Sequence, residues 1–232
     1  MSAKATMGHI REHGSLLARV EKQVLIRMAE RLPRRINSDH LTLLGLSAMA
    51  AAGLAFWASN WHNWSLLIVV GALGVNWFGD SLDGTVARVR NQQRPMYGFY
   101  VDHVIDIVGA LFLLGGLALS PYMSPVVALM LLVAYLMLSA EVYLATHACG
   151  IFRVSLLRVG PTELRILLAI GTLYVMNQPW VELWGDVYLL FDVGGVVALL
   201  GMFLALLWSA SRNTLALYRA EPIPRVNLET RP

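Results

Sequence analysis

Between positions 80 and 106 the sequence reads DSLDGTVARVRNQQRPMYGFYVDHVID. Asp80, Asp83, Asp102 and Asp106 place carboxylates there in otherwise apolar surroundings. An ionisable side chain inside a membrane-length segment is costly, so acids kept there mark function by default. Asp80 and Asp83 are spaced i, i+3, and Asp102 and Asp106 i, i+4; on two helices each pair leaves one face, and the pairs can converge. Carboxylates crowded into a poorly hydrated site need counter-charge. An all-oxygen donor set suits a hard divalent cation, Mg²⁺ or Mn²⁺, with room for one or two ions. Gly84 and Ala87 share the face of the first pair, and Gly98 that of the second. Residues this small leave space for a bulky ligand or let two helices approach closely.

The elements that position these acids are legible as membrane spans. Of 232 residues 57% are hydrophobic and 14% charged, and the mean hydropathy is +0.58, values that exclude an ordinary soluble domain. Residues 1–38 contain no apolar run, so no cleavable signal peptide is expected. From about Ser15 to Leu32, Leu16, Leu17, Val20, Val24, Leu25 and Met28 alternate with Arg19, Lys22, Arg27 and Arg31. That pattern predicts an amphipathic helix, lying on an anionic membrane surface, packed on the protein's own cytosolic face, or both, and ending at Pro33. Six apolar segments follow, at about 40–59, 64–87, 99–119, 124–148, 163–179 and 189–211. The expected architecture is an all-α integral membrane protein of six transmembrane helices preceded by an N-terminal amphipathic surface helix. Its parts are a cytosolic arm at 1–38, a six-helix domain at 39–211 and a cytosolic tail at 212–232.

All 18 Lys and Arg fall on the side of the termini, and the loops around 61–63, 120–124 and 177–186 contain none. The positive-inside rule therefore puts both termini and the aspartates at the cytosolic face, of the cytoplasmic membrane if the source is bacterial. Trp57, Trp61, Trp64, Trp180, Trp184 and Tyr188 gather at the opposite interface as an aromatic belt. The single cysteine, Cys149, excludes an intramolecular disulfide framework.

The acid-bearing stretch resembles the signature of the CDP-alcohol phosphotransferases, also called CDP-alcohol phosphatidyltransferases: D-x2-D-G-x2-A-R, a spacer of eight or nine residues, then G-x3-D-x3-D. Asp80, Asp83, Gly84, Ala87, Arg88, Gly98, Asp102 and Asp106 fill every specified position. The resemblance covers roughly residues 36–211 and is sharp from 80 to 106. It implies transfer of a phosphoalcohol from a CDP-linked donor to an alcohol acceptor, with release of CMP, in phospholipid synthesis; at least one substrate is a lipid. It assigns metal binding to Asp80, Asp83, Asp102 and Asp106, and places Gly84, Ala87, Arg88 and Gly98 around the nucleotide. It further implies a homodimer, and no nucleic-acid partner is expected.

The acceptor hydroxyl must lose a proton during attack. The resemblance gives that task to Asp106, with His103 and Glu163 as further candidates, because the Asp102-His103 and Thr162-Glu163 pairs look like corresponding pairs in choline and ethanolamine phosphotransferases. The segment YLATHACGIFR at 143–153 is loosely similar to theirs. These pairs favour a CDP-aminoalcohol donor and a lipid alcohol acceptor. The alternative is CDP-diacylglycerol with a polar alcohol, for which Arg153, Arg158 and Arg165 could supply a basic acceptor pocket. A divalent-cation transporter is the more distant reading, since intramembrane acids also mark ion pathways. Arg88 argues against it, because a cation conduit gains nothing from a neighbouring guanidinium. At the entry to the first span, Asp39 stands where many relatives carry asparagine, while Thr42 keeps its place. His147, Glu141 and Asp192 read as polar contacts or caps between helices.

Overall fold

A computed structural model describes residues 18–149 and 161–221 of the chain. In order they form α1 (Ala18–Arg31), α2 (Ser38–Ala58), α3 (Ser65–Val89), α4 (Pro95–Ala118), α5 (Pro125–Cys149), α6 (Pro161–Val175), strands β1 (Trp180–Leu183) and β2 (Asp186–Leu189), and α7 (Leu190–Ala220). Among the described residues five helices, α2, α3, α4, α5 and α7, are long and apolar enough to cross a membrane. The fifth expected segment, 163–179, is observed as the 15 residues of α6. It stops because Pro179 cannot extend a helix and biases the residue before it out of helical geometry. The amides of Asn177 and Gln178 both fold back onto the Tyr174 carbonyl, at 3.1 and 3.0 Å.

A hairpin replaces the plain loop expected at this end. β1 and β2 pair antiparallel with Leu183 opposite Asp186. Trp184 and Gly185 between them have φ of 55° and 92°, the left-handed geometry that a two-residue hairpin turn requires. At the other end of α7 the helix runs on through Ala220, where a tail from 212 was expected. The stretch SRNTLALYRA contains neither glycine nor proline, so nothing in it ends a helix before Pro222.

The bundle is tightest where α2 meets its neighbours. A Cβ on Gly53 would collide with the Phe112 carbonyl of α4, and one on Gly116 with the Gly53 carbonyl, so α2 and α4 touch backbone to backbone. Gly79 lets α3 approach α2 in the same way: a Cβ there would lie 2.6 Å from the Leu41 carbonyl oxygen. Around these contacts Phe56, Leu66 and Val69 are fully buried. A second cluster closes the end that carries the aspartates, where Leu25 and Ala29 of α1 pack on Leu41, Leu82 and Val86. The helix expected from Ser15 is described from Ala18, and of its two expected surroundings the protein's own surface takes the apolar face. The C-terminus of α1 is held by Arg90, which donates to the carbonyls of Leu32 at 2.9 Å and Pro33 at 3.2 Å, and also to that of Ile36.

At the opposite end Asn63 ties three connections together. It donates to the Met176 carbonyl at 2.9 Å and accepts from the Tyr122 hydroxyl at 2.6 Å. Asp192 accepts from the Ser124 amide and hydroxyl at 2.7 and 3.0 Å, capping the start of α5 as expected of a cap residue. Glu141 joins α5 to α7 by accepting from Asn213 at 2.9 Å.

The glycine contacts generate a stability prediction. Gly116→Ala should destabilise the detergent-solubilised protein by about 2 kcal/mol, since the added carbon forces two backbones apart. Gly115→Ala, whose Cβ would meet nothing within 4 Å, is the control and should leave the unfolding temperature unchanged. Equal unfolding temperatures for both variants would refute the backbone contact.

Candidate active site

The turn between α3 and α4 decides which side chains meet. After Val89 the chain adopts a left-handed conformation at Asn91, with φ of 54°. The Asn91 amide donates to the Arg88 carbonyl at 3.2 Å and the Gln92 amide to the Ala87 carbonyl at 2.9 Å. This pairing closes a helix C-terminus, with asparagine in the position more often given to glycine. Pro95 then opens α4 as its first residue, where its missing N–H costs nothing. Both helices pack on α2, and the acids towards the end of α3 reach those at the start of α4.

Asp80, Asp102 and Asp106 accordingly offer carboxylate oxygens that all lie within 4.8 Å of one another. Ligand oxygens sit about 2.0–2.1 Å from Mg²⁺, so three oxygens this close can share one ion, and the all-oxygen donor set fits a hard divalent cation. Asp83 does not share that mutual spacing. Its carboxylate accepts from the Thr42 hydroxyl at 2.7 Å and from the Gly84 amide. Thr42 has a second possible acceptor, the Ser38 carbonyl at 3.0 Å, but only one proton to give.

Asp80 carries a partner from another helix. Arg165 of α6 donates through Nη2 to Asp80 Oδ2 at 2.6 Å and through Nε to Asn76 Oδ1 at 2.7 Å. Asn76 is buried and donates onward to the Gly45 carbonyl at 3.0 Å. Arg165 had been expected only as one of three candidates for a basic acceptor pocket; Arg153 and Arg158 lie outside the described residues. Glu163 sits in the first turn of α6, two residues before Arg165, so the ion pair brings its helix turn to the site.

His103 lies on α4 beside Asp102, with Nδ1 2.6 Å from the Phe99 carbonyl oxygen. A carbonyl only accepts, so Nδ1 carries the proton and, in the neutral ring, Nε2 carries the lone pair. The ring is held between Phe99 and Tyr143, with centroids at 4.2 and 4.9 Å. Tyr143 belongs to the segment singled out in the sequence at 143–153.

The small signature residues differ in what they admit. A Cβ on Gly98 would meet nothing within 4 Å, whereas one on Gly84 would lie 3.2 Å from Arg88 Nη1. Gly84 therefore makes room for the arginine, whose Nη2 donates to Thr85 at 3.0 Å. Ala87 lines a cleft of about 420 Å³ between the entry of α2 and the α3–α4 turn, together with Asn37, Asp39, Gln92, Gln93 and Arg94. Arg94 reaches both oxygens of Asp39, at 2.6 and 2.7 Å, and lies 4.0 Å over the Tyr97 ring. Arg90 and Arg94 both fasten the α3–α4 turn, Arg90 to the α1–α2 connection and Arg94 to the entry of α2.

A family model for CDP-alcohol phosphatidyltransferases matches residues 36–211. The chain belongs to the CDP-alcohol phosphatidyltransferase family. No curated protein matches it. Membership carries CDP-alcohol phosphotransferase activity in phospholipid synthesis, with CDP-alcohol and alcohol substrates and a membrane environment. The family is generally dependent on a divalent metal, and the triad of Asp80, Asp102 and Asp106 is a cluster able to bind one.

Sequence reasoning singled out the four aspartates, the small residues and His103, and it missed the supports. Thr42 was noted only as a residue keeping its place, and Asn76 carried no signal beyond being an amide in an apolar span. Thr42→Val removes one of the donors to Asp83 while keeping the shape of the side chain. A hydrogen bond to a charged group is worth about 1.5–3 kcal/mol, so the variant should lose roughly tenfold or more in CMP release at saturating donor. Wild-type turnover would show that Asp83 does not need this support.

Proposed function

We propose that this transferase moves a phosphoaminoalcohol of the ethanolamine or choline type from its CDP derivative to a lipid alcohol. The acceptor oxygen forms a bond to the phosphorus that carries the aminoalcohol, the bond from that phosphorus to the bridging oxygen breaks, and CMP leaves with the electron pair. The single observation that supports this reading is the convergence of the signature carboxylates of α3 and α4, with His103 next to Asp102 in the chain and its ring against Tyr143.

Asp80, Asp102 and Asp106 would hold Mg²⁺ or Mn²⁺, with Asp83 available to a second ion. Bound there, the ion supplies charge neutralisation at the phosphates and the leaving CMP. The remaining work falls to the chain. Ala87 and Gly98 leave room for the nucleotide, and Arg88, folded over Gly84, offers planar donors to phosphate.

Of the three candidate bases, His103 is favoured. Asp106 already contributes an oxygen to the triad, and a ligand to a cation is a poor proton acceptor. The Nδ1 bond to Phe99 leaves Nε2 of His103 as the basic nitrogen, and an imidazole is suited to proton transfer near neutral pH. Glu163 then has a helix N-terminus to stabilise its charge and a place on the acceptor side. The lipid-alcohol acceptor is supported by the Asp102-His103 and Thr162-Glu163 pairs.

The membrane arrangement follows the same reading. α6 is the fifth of six spans, the termini and the site are cytosolic, and the assembly is a homodimer. α1 lies along the anionic leaflet, with Lys22, Arg27 and Arg31 on its exposed face.

Purified protein with Mg²⁺ should release CMP from CDP-ethanolamine or CDP-choline only when a lipid alcohol is present. Release from CDP-diacylglycerol alone would move the protein to the phosphatidyl-transferring branch. His103→Gln should lower kcat by about 10²–10⁴ and leave KM for the CDP donor within about threefold. A change confined to donor KM would return the role of base to Asp106 or Glu163.

A further inference from the structure

The guanidinium of Arg165 is held at two points on α3. Its acceptors, Asp80 at 2.6 Å and Asn76 at 2.7 Å, stand i, i+4 and therefore one above the other on a single face. Asn76 is in turn fixed by its bond to the Gly45 carbonyl at 3.0 Å. Asp80 meanwhile presents an oxygen to the triad with Asp102 and Asp106. One carboxylate thus serves two kinds of cation, a guanidinium from α6 and the divalent ion that the proposed activity uses. The two cations share one carboxylate and repel each other. Side-chain exposures of 18% for Arg165 and 29% for Asp80 leave that repulsion only weakly screened by solvent.

We propose that Arg165 is a built-in counter-cation of the metal centre, competing with the divalent ion for Asp80 and so coupling ion occupancy to the docking of α6. The inference rests on the reading of the triad as metal ligands, and deepens it from a binding site to a regulated one. Asn76 makes the competition reversible. When Asp80 turns to an ion, the Nε bond to Asn76 keeps the guanidinium within reach, and α6 stays tethered while its tie to Asp80 is lost. Glu163 lies one short step along the same helix, so the acceptor side of the site is adjusted by the filling of the metal side. Coupling of this kind is reciprocal: whatever the ion loses to Arg165, Arg165 loses to the ion.

The test needs no substrate. Mn²⁺ is titrated into wild-type protein, Arg165→Gln, Arg165→Lys and Asp102→Asn in detergent, and free Mn²⁺ is read by its electron paramagnetic resonance signal. Arg165→Gln should bind Mn²⁺ about tenfold more tightly than wild type, whereas Arg165→Lys, which keeps the charge, should stay within about threefold. A merely structural ion pair would leave affinity unchanged or weaken it, and either result for Arg165→Gln overturns the proposal. Wild-type protein that binds no Mn²⁺, or binds it as well after Asp102→Asn, overturns the metal reading and this inference together. A second measurement does not depend on the folding of any variant: phenylglyoxal modification of Arg165 in wild-type protein, followed by peptide mass spectrometry. Mn²⁺ should accelerate it; protection or no change would count against competition.

Discussion

Carboxylates at the end of an apolar helix bundle must be compensated, and the rest of this architecture answers that requirement. Two of the acids take partners from other helices. Asp83 is met by Thr42 from α2, Asp80 by Arg165 from α6, and the triad itself spans α3 and α4. A buried anion without donors would neutralise itself by taking up a proton. α2 and α6 supply hydrogen-bond donors to Asp83 and Asp80, in a cluster whose carboxylates lie on α3 and α4.

The same bundle is built with two different packing regimes. Away from the aspartates, α2 and α4 meet at Gly53 and Gly116 with no side chain between them, and the surrounding residues are buried. Towards the aspartates, Gly98 at the start of α4 faces open space. The α3–α4 turn beside it is fastened at separate points by Arg90 and Arg94.

How much of this was legible in the sequence depended on the range of the interaction. The acid pairs, the spans and the helical arm all follow from spacings of three, four or about twenty residues, and such patterns are visible along a chain. The partners of Asp80 and Asp39 are not, because Arg165 is 85 residues from Asp80, and Arg94 is 55 from Asp39. No local period links residues so far apart. The hairpin was missed for a different reason. Gly185 at the turn is an ordinary signal, but it follows Trp184, a bulky residue in left-handed backbone, and the flanking residues read more readily as an aromatic belt. The length of α7 was underestimated because hydropathy marks where a span leaves the apolar layer, while the helix itself continues until something breaks it.

Asn63 has a further consequence, for the order of assembly. It stands at the start of the chain's second apolar segment, yet its acceptor at Met176 is 113 residues downstream and its donor at Tyr122 is 59 downstream. A chain emerging from the ribosome therefore makes this amide long before its partners exist. The α2–α3 connection must wait, half satisfied, until α6 has been synthesised. The aspartate end waits for the same helix, because the partner of Asp80 is Arg165.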